Sequence, residues 1–485
     1  MTRAAIALAA LTLIRLWVAA TAPLAPDEAY YWIWSRALAP GYLDHPPMVA
    51  LWIRIGTALC GDTPLGIRLL GPLSGALGSW LLADAANRLL PGRGAGVLAA
   101  TLFNATLLMG VGTVIMTPDT PLILFWTATL WALARIAVGG GGAWWLAAGG
   151  FAGLALLSKY TAVFLWAGTG LWLLAVPAIR PWLRRPAPWA GMLLGGALFL
   201  PVLAWNAAHG WAGFLRQGGR ISDWRPERSV QFLAELIGGQ AGLVTPGIWL
   251  LCLTGTGWAV ARAVRQREAG PALLALLTVP PMLMFLQHAF HDRVQGNWPA
   301  IIYPAAVIAA AGLTGRTWQR LTGPSVVLGL AVTALAYAQA TVQALPIPPR
   351  LDPVALRLAG WDEMARQVEA MRRDTGAAFV AVEQYALAAE LAYTLPSGVA
   401  VLGVEPRWAL TSLPAAGALA GRRGLLLRDA RIDAPPDRAV WGEALAIGVV
   451  DRTAGGAVLE RYRVFRVRAL DAGERSAVLL PRPRP

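Results

Sequence analysis

The sequence predicts an α-helical polytopic membrane protein with a small α/β domain outside the membrane at its C-terminal end. Three observations carry this. Mean hydropathy is +0.53, and hydrophobic residues make up 56% of the 485 positions against 14% charged, a balance outside the soluble globular range. Apolar runs of about 20 residues, the length that crosses a bilayer core, recur until residue 345 and then stop. Lipid offers no partner for backbone polar groups, so such runs must be helices.

About eleven runs fit, near residues 4–24, 65–87, 94–115, 120–138, 143–158, 160–178, 189–208, 242–262, 271–288, 298–314 and 324–345. The first, "AAIALAALTLIRLWVAATAPLAP", has the charged start and apolar body of a signal peptide, but Arg15 and Trp17 interrupt it and many spans follow, which favours an uncleaved helix. The pair flanking "SKY" is short, and "MVALWIRIGTALCG" reads as an interfacial or re-entrant helix.

Cytoplasmic connections are rich in basic residues. Arg3, Arg88 with Arg93, Arg135, "IRPWLRRP", "RAVRQRE" and "GRTWQR" fall at alternate connections, which puts them, and the N-terminus, on the cytoplasmic side. The outer side receives the stretch after the first span, "MTPDTP", "SKY", "HGWAGFLRQGGRISDWRPERS", "HAFHDRVQGNWP" and everything beyond residue 346. The net charge of +14 therefore sets orientation and contacts anionic membrane lipid; no nucleic-acid partner is expected. Cys60 and Cys252 lie far apart in apolar surroundings and form neither a metal-ligand spacing nor a disulfide framework.

The chain divides into a membrane part, 1–345, and an extracytoplasmic part, 346–485. In the latter "WDEMARQVEAMRRDTG" has apolar residues at helical spacing and ends in Gly376, while "AAFVAVEQ", "GLLLRDA" and "AVLERYRVFRVRAL" read as strands. No internal repeat stands out, which counts against a transporter built on inverted repeats.

Ionisable groups at the lip of a membrane bundle are costly and are functional candidates. The outer stretch "APDEAYYWIWSRALAPGYLDHPPM" brings Asp27, Glu28, Asp44 and His45 together, and Pro46 and Pro47 stop a helix from starting at Asp44. These charges form either a preorganised site or a solvated loop with an aromatic belt of Tyr30, Tyr31, Trp32, Trp34 and Tyr42. Asp119, the one charge in "MTPDTP", either caps the next helix or does chemistry. Lys159 is the single lysine of the chain; it is a compact charge suited to a phosphate or a snorkelling anchor. His288, His291, Asp292, Arg293, Asn297 and Trp298 crowd the outer entry to the tenth run, where Arg293 suits a phosphate oxygen. A divalent metal stays open, with Asp44 and His291 as candidate ligands, although no zinc spacing is present.

Taken in order, "DEAYYWIWSRALAPGYLDHPPM", "MTPDTPLILFW", "GLALLSKYTAVF" and "RVQGNWPAIIYPA" resemble the motifs of polytopic glycosyltransferases with a GT-C fold. The resemblance covers residues 1 to 345 and is to the branch holding the protein O-mannosyltransferases and the lipid A aminoarabinose transferases, glycosyltransferase families 39 and 83. It implies transfer of a sugar from a polyprenyl-phosphate carrier to a lipid A, core, surface-glycan or protein acceptor on the outer face of a bacterial inner membrane. It also implies Asp27 as the leading catalytic carboxylate with Glu28 beside it, Asp119 as a second acidic position, and Lys159 and Arg293 near the carrier phosphate. Asp44 and His45 match the second half of the first outer loop; His45 stands where the aminoarabinose transferases have a lysine, so charge there follows pH. On this reading Asp27 takes the acceptor's proton as C1 is attacked, while Lys159, Arg293 and His45 stabilise the departing phosphate. Inversion in one displacement is the simplest chemistry, and a covalent intermediate on one carboxylate is the other route. A transporter or flippase of lipid-linked sugar, using the same groups for binding alone, is the competing function.

Overall fold

The structure is a computed structural model that describes residues 3–90, 94–222, 226–437, 440–469 and 477–483. Arg93 and residues 223–225, parts of two predicted loops, lie outside these. Seven helices among the described residues are long and apolar enough to cross a membrane: Arg3–Thr21, Pro64–Leu89, Asp119–Ala137, Pro186–Ala208, Pro246–Gln266, Ala269–His288 and Arg316–Val342. Each overlaps a predicted run. The remaining four runs form shorter apolar helices, Ala95–Asn104, Ala143–Leu156, Tyr160–Ala175 and Trp298–Ala311, and "MVALWIRIGTALCG" forms Met48–Cys60.

Two compact units make up the chain. One comprises Met1–Trp17, Asp44–Val49 and Leu69–Leu335; the other Val18–Leu43, Ala50–Arg68 and Ala336–Pro485.

The first unit is a helical bundle. Prolines start several of its helices, including Pro186 and Pro246, where a missing N–H costs nothing. Helix Pro246–Gln266 begins four residues later than predicted because Ser229–Val244 is a separate helix, broken from it at Thr245, whose φ is +68°. The run 94–115 breaks into Ala95–Asn104 and Leu107–Gly112, the second capped by the Thr106 hydroxyl, which accepts from Met109 N–H at 3.1 Å. Irregular backbone is tolerated in a bundle where protein covers it, and Ala105 and Thr106 are buried. Gly329 makes this cover possible: a Cβ there would lie 1.6 Å from the Ala105 carbonyl oxygen. Arg15, which interrupts the first apolar run, is buried and donates to Asn104 at 2.8 Å.

The second unit contains a six-stranded sheet: β1 (Phe379–Val382), β2 (Ala400–Gly403), β3 (Arg423–Asp429), β4 (Trp441–Ala454), β5 (Ala457–Ala469) and β6 (Val478–Leu479), in the order β4-β5-β3-β1-β2-β6. The central β1 is parallel to both neighbours, β2 and β3, and the outer pairings are antiparallel. All four β1 residues are buried, as a continuous apolar run in a central parallel strand should be. Helix Trp361–Asp374 carries Asp362 and Glu363 in its first turn and Arg372 and Arg373 in its last, matching the helix dipole. Gly360 precedes it at φ +86°, and a Cβ there would meet the Thr453 carbonyl oxygen at 2.3 Å. Strands β1, β3 and β5 fall in predicted segments; β2, β4 and β6 do not.

Candidate active site

In the second unit the fold gives two adjacent carboxylates different surroundings. Helix Pro26–Arg36 starts at Pro26, which puts Asp27 and Glu28 in its first turn. Glu28 is 0% exposed, and its Oε2 accepts from Ala25 N–H at 2.9 Å, satisfying a backbone donor that the helix start leaves open. Arg68 Nε and Nη2 donate to the two Glu28 oxygens at 2.7 and 2.6 Å. The same guanidinium donates to the carbonyls of Ala19, Ala22 and Pro23 at 3.2, 2.7 and 2.7 Å, where helix Arg3–Thr21 runs out. One ion pair therefore closes the end of one helix and the start of the next. Glu28 is placed to hold the turn, whereas Asp27 is only half-buried.

The rings of this stretch do not form a belt at the lipid boundary. Tyr30, Tyr31, Trp32, Trp34 and Tyr42 are all buried. Tyr30 lies 4.6 Å from Tyr385 and 5.4 Å from Trp408, and the Arg407 guanidinium stacks 3.7 Å over Tyr385. Trp32 Nε1 donates to Asp62 at 2.9 Å, and Arg36 pairs with that carboxylate at 3.2 Å. The Tyr393 hydroxyl donates to the Asp62 carbonyl at 2.9 Å. Helix Pro26–Arg36 is thereby fixed from several sides, which is what holding Asp27 in one geometry requires.

In the first unit Asp119, Lys159 and Asn297 come together from positions 40 and 178 residues apart. Lys159 Nζ donates to both Asp119 oxygens at 2.8 and 2.9 Å, and Asn297 Nδ2 donates to Asp119 Oδ2 at 2.6 Å. Asp119 is the first residue of helix Asp119–Ala137, behind Pro118 at the N-cap, and its carboxylate oxygens accept from Lys159 and Asn297. Lys159 is 7% exposed, which excludes a snorkelling anchor. Its Nζ carries three protons and two of them reach Asp119.

The other candidates in this unit have partners of their own. Asp44 pairs with Arg216 at 3.7 Å, and Gln217 Nε2 donates to the Asp44 carbonyl at 2.7 Å; both partners lie on helix Ala212–Ser222. His45 is half-buried. Arg293 is exposed and makes a two-point pair with Glu235 at 2.6 and 2.9 Å, so it does not join Asp119 and Lys159. Glu235 in turn is held below the usual carboxylate range by the Arg293 hydrogen bonds. Trp298 packs against His288, with ring centres 5.6 Å apart. The His291 ring meets Gln287 at 2.7 Å. Among the described residues no group of three or more His, Cys, Asp and Glu side chains is placed to hold a metal ion.

Sequence reasoning passed over Arg68, Asp62, Arg216 and Glu235. Arg68 had a signal, since a lone arginine inside an apolar run must find a buried partner. Nothing local distinguishes the other three from ordinary loop charges.

The sequence matches the family described as dolichyl-phosphate-mannose-protein mannosyltransferase over residues 44–205. It is 29% identical over 381 residues to the lipid A galacturonosyltransferase RgtD of Rhizobium johnstonii, covering 76% of this chain and 77% of the relative. The fold is that of ArnT from Cupriavidus metallidurans. The ArnT structure bound to undecaprenyl phosphate superposes with a TM-score of 0.61 at 14% identity over 95% of this chain and 97% of ArnT. The apo structure gives 0.58 at 16% identity with the same coverage. With its membrane-crossing helices, its C-terminal sheet and these matches, the chain is a multi-pass membrane glycosyltransferase of the GT-C fold.

Proposed function

We propose that the protein transfers a sugar from a polyprenyl-phosphate carrier to a lipid or glycan acceptor at the outer face of a bacterial inner membrane. The observation that carries this is the buried Lys159–Asp119–Asn297 cluster. A buried lysine in a membrane bundle is expensive unless it works, and a phosphate leaving group needs a cation. The relative's name makes galacturonic acid the first sugar and lipid A the first acceptor to assay.

Asp27 is the base. The acceptor hydroxyl attacks C1 of the sugar, Asp27 takes its proton, and the bond from C1 to the phosphate oxygen breaks with its electron pair leaving on phosphate. Phosphate leaves without acid assistance, so one displacement with inversion suffices. Lys159 binds the phosphate charge through the proton not given to Asp119. Arg293 is exposed, and water weakens an exposed ion pair, so exchanging Glu235 for a phosphate oxygen costs little. His45 adds positive charge when protonated. The N-terminus lies in the cytoplasm, following the basic connections, and residues 346–485 form the outer part that bears on the acceptor.

The test incubates the purified protein with a radiolabelled polyprenyl-phosphate sugar and lipid A. Label moving into lipid A through a new glycosidic bond supports the reading. Label that crosses a vesicle membrane without forming a bond means a flippase, and overturns it.

A further inference from the structure

Away from the residues discussed so far, the first unit contains an apolar groove between helices Ala143–Leu156, Tyr160–Ala175 and Pro186–Ala208. Its empty space, counted out to the open mouth, is about 570 Å³. Glycines shape its back wall. A Cβ on Gly149 would fall 2.0 Å from the Gly191 carbonyl oxygen, and one on Gly195 would reach the Trp166 ring at 2.6 Å. The helices therefore touch backbone to backbone there, and the larger side chains stand to either side as walls. Trp145 and Ala152, both in the lining, are two turns apart, so the groove runs about 10 Å along the helices.

One end of the groove is basic. Pro188 and Trp189 line it directly after Arg184 and Arg185 in the chain, and Trp189 Nε1 donates to the Leu183 carbonyl at 3.0 Å, which pins that rim. Arg185 stacks 4.8 Å over Trp182, whose ring lies 5.9 Å from that of the lining residue Trp145. Arg184 and Arg185 are exposed, and neither has an acidic partner among the described residues. An apolar slot about 10 Å long, with two exposed guanidinium groups close in the chain to one end and without an acidic partner among the described residues, matches the upper part of one acyl chain below a phosphate head. Guanidinium binds phosphate oxygens in two-point fashion, and basic pockets between membrane helices select anionic head groups.

We propose that this groove is a site for one anionic phospholipid, with its phosphate at Arg184 and Arg185 and one acyl chain lying along Gly149, Ala152, Leu165 and Gly170. No residue lining the groove is among those assigned to sugar transfer.

The test equilibrates the full-length protein in mixed micelles with equal phosphatidylglycerol and phosphatidylcholine and counts retained lipid by native mass spectrometry. Wild type is expected to keep phosphatidylglycerol over phosphatidylcholine by about tenfold. Arg184→Gln with Arg185→Gln should bring that ratio to about one while leaving the melting temperature unchanged, since both side chains are exposed. Gly170→Phe fills the groove where a Cβ meets nothing within 4 Å, and should remove retention of both lipids. Equal retention by wild type overturns the proposal, as does a preference that survives in the double arginine variant. Polyprenyl phosphate added to the micelles is the last arm: if it displaces phosphatidylglycerol and Gly170→Phe abolishes its binding, the groove is a carrier site and the phospholipid assignment fails.

Discussion

Glu28 and Arg68 are both buried to 1% exposure or less and share two hydrogen bonds of 2.7 and 2.6 Å. Forty residues apart in sequence, they join the end of helix Arg3–Thr21 to the start of Pro26–Arg36. Removing one partner of such a pair leaves a buried charge uncompensated, so Glu28→Gln is expected to cost about 3–5 kcal/mol. Thermal unfolding in detergent measures it. Glu28→Gln combined with Arg68→Met should recover part of the loss; a Glu28→Gln protein as stable as wild type would show that the pair does not hold the turn.

Asp27, the neighbour of Glu28 in the same first turn, is half-buried. Asp27→Asn is expected to lower sugar transfer by about 10²–10⁴-fold, the share a positioned base contributes. Initial rates with labelled donor decide it, and wild-type turnover in this variant would remove Asp27 from the mechanism.

The Asp119–Lys159 pair tests structure against function in one cycle. Lys159→Met or Asp119→Asn alone should lower both stability and turnover, because each strands or unbalances the other. Together they should restore stability and leave turnover low. Recovery of turnover in the double variant would make the cluster a structural contact only.

Arg293, paired with Glu235 on the surface, should behave differently. Arg293→Gln is expected to raise KM for the donor about tenfold, as loss of one charged hydrogen bond implies, while kcat and melting temperature stay unchanged. An unaltered KM would separate Arg293 from the carrier phosphate.

Glu390 gives a pH signature. It lies on helix Tyr385–Thr394, is 2% exposed, and its Oε1 has no hydrogen-bond partner among the described residues. Burial first, then the charge of Glu28, raise its pKa well above 4.5. The folded protein thus keeps a proton that the unfolded chain releases, so stability falls as pH climbs from about 4.5 toward the raised folded value. Glu390→Gln should melt higher than wild type at pH 7 and lose part of the pH dependence above 4.5. A wild-type profile in the variant would show that Glu390 is solvated.

The candidate residues themselves are legible in the sequence. Asp27, Asp119 and Lys159 stood out because a charge beside a long apolar run needs a reason to be there. What could not be read was partnership. Asp119 admitted capping as well as chemistry until Lys159 and Asn297 took its oxygens. The aromatic residues after Asp27 read equally as a lipid belt until Tyr385, Tyr393 and Arg407 were found against them. Arg293, a candidate for the carrier phosphate, is paired with Glu235, a partner the sequence does not reveal. Strand β4 escaped notice because most of its residues from Gly442 to Val449 are exposed, which leaves little apolar alternation to see.

By itself, the sequence determined the membrane class, most helix positions, the α/β character of the C-terminal part and the short list of chemically unusual residues. Those follow from local quantities: apolar run length, the spacing of arginines, and proline and glycine at element ends. Only the tertiary structure decided that Glu28 holds a turn while Asp27 is half-buried beside it, that Lys159 is buried on Asp119, and that Arg68 is the missing partner. Pairing energies depend on distance and burial, and residues 40 or 178 positions apart acquire both only when the chain has folded.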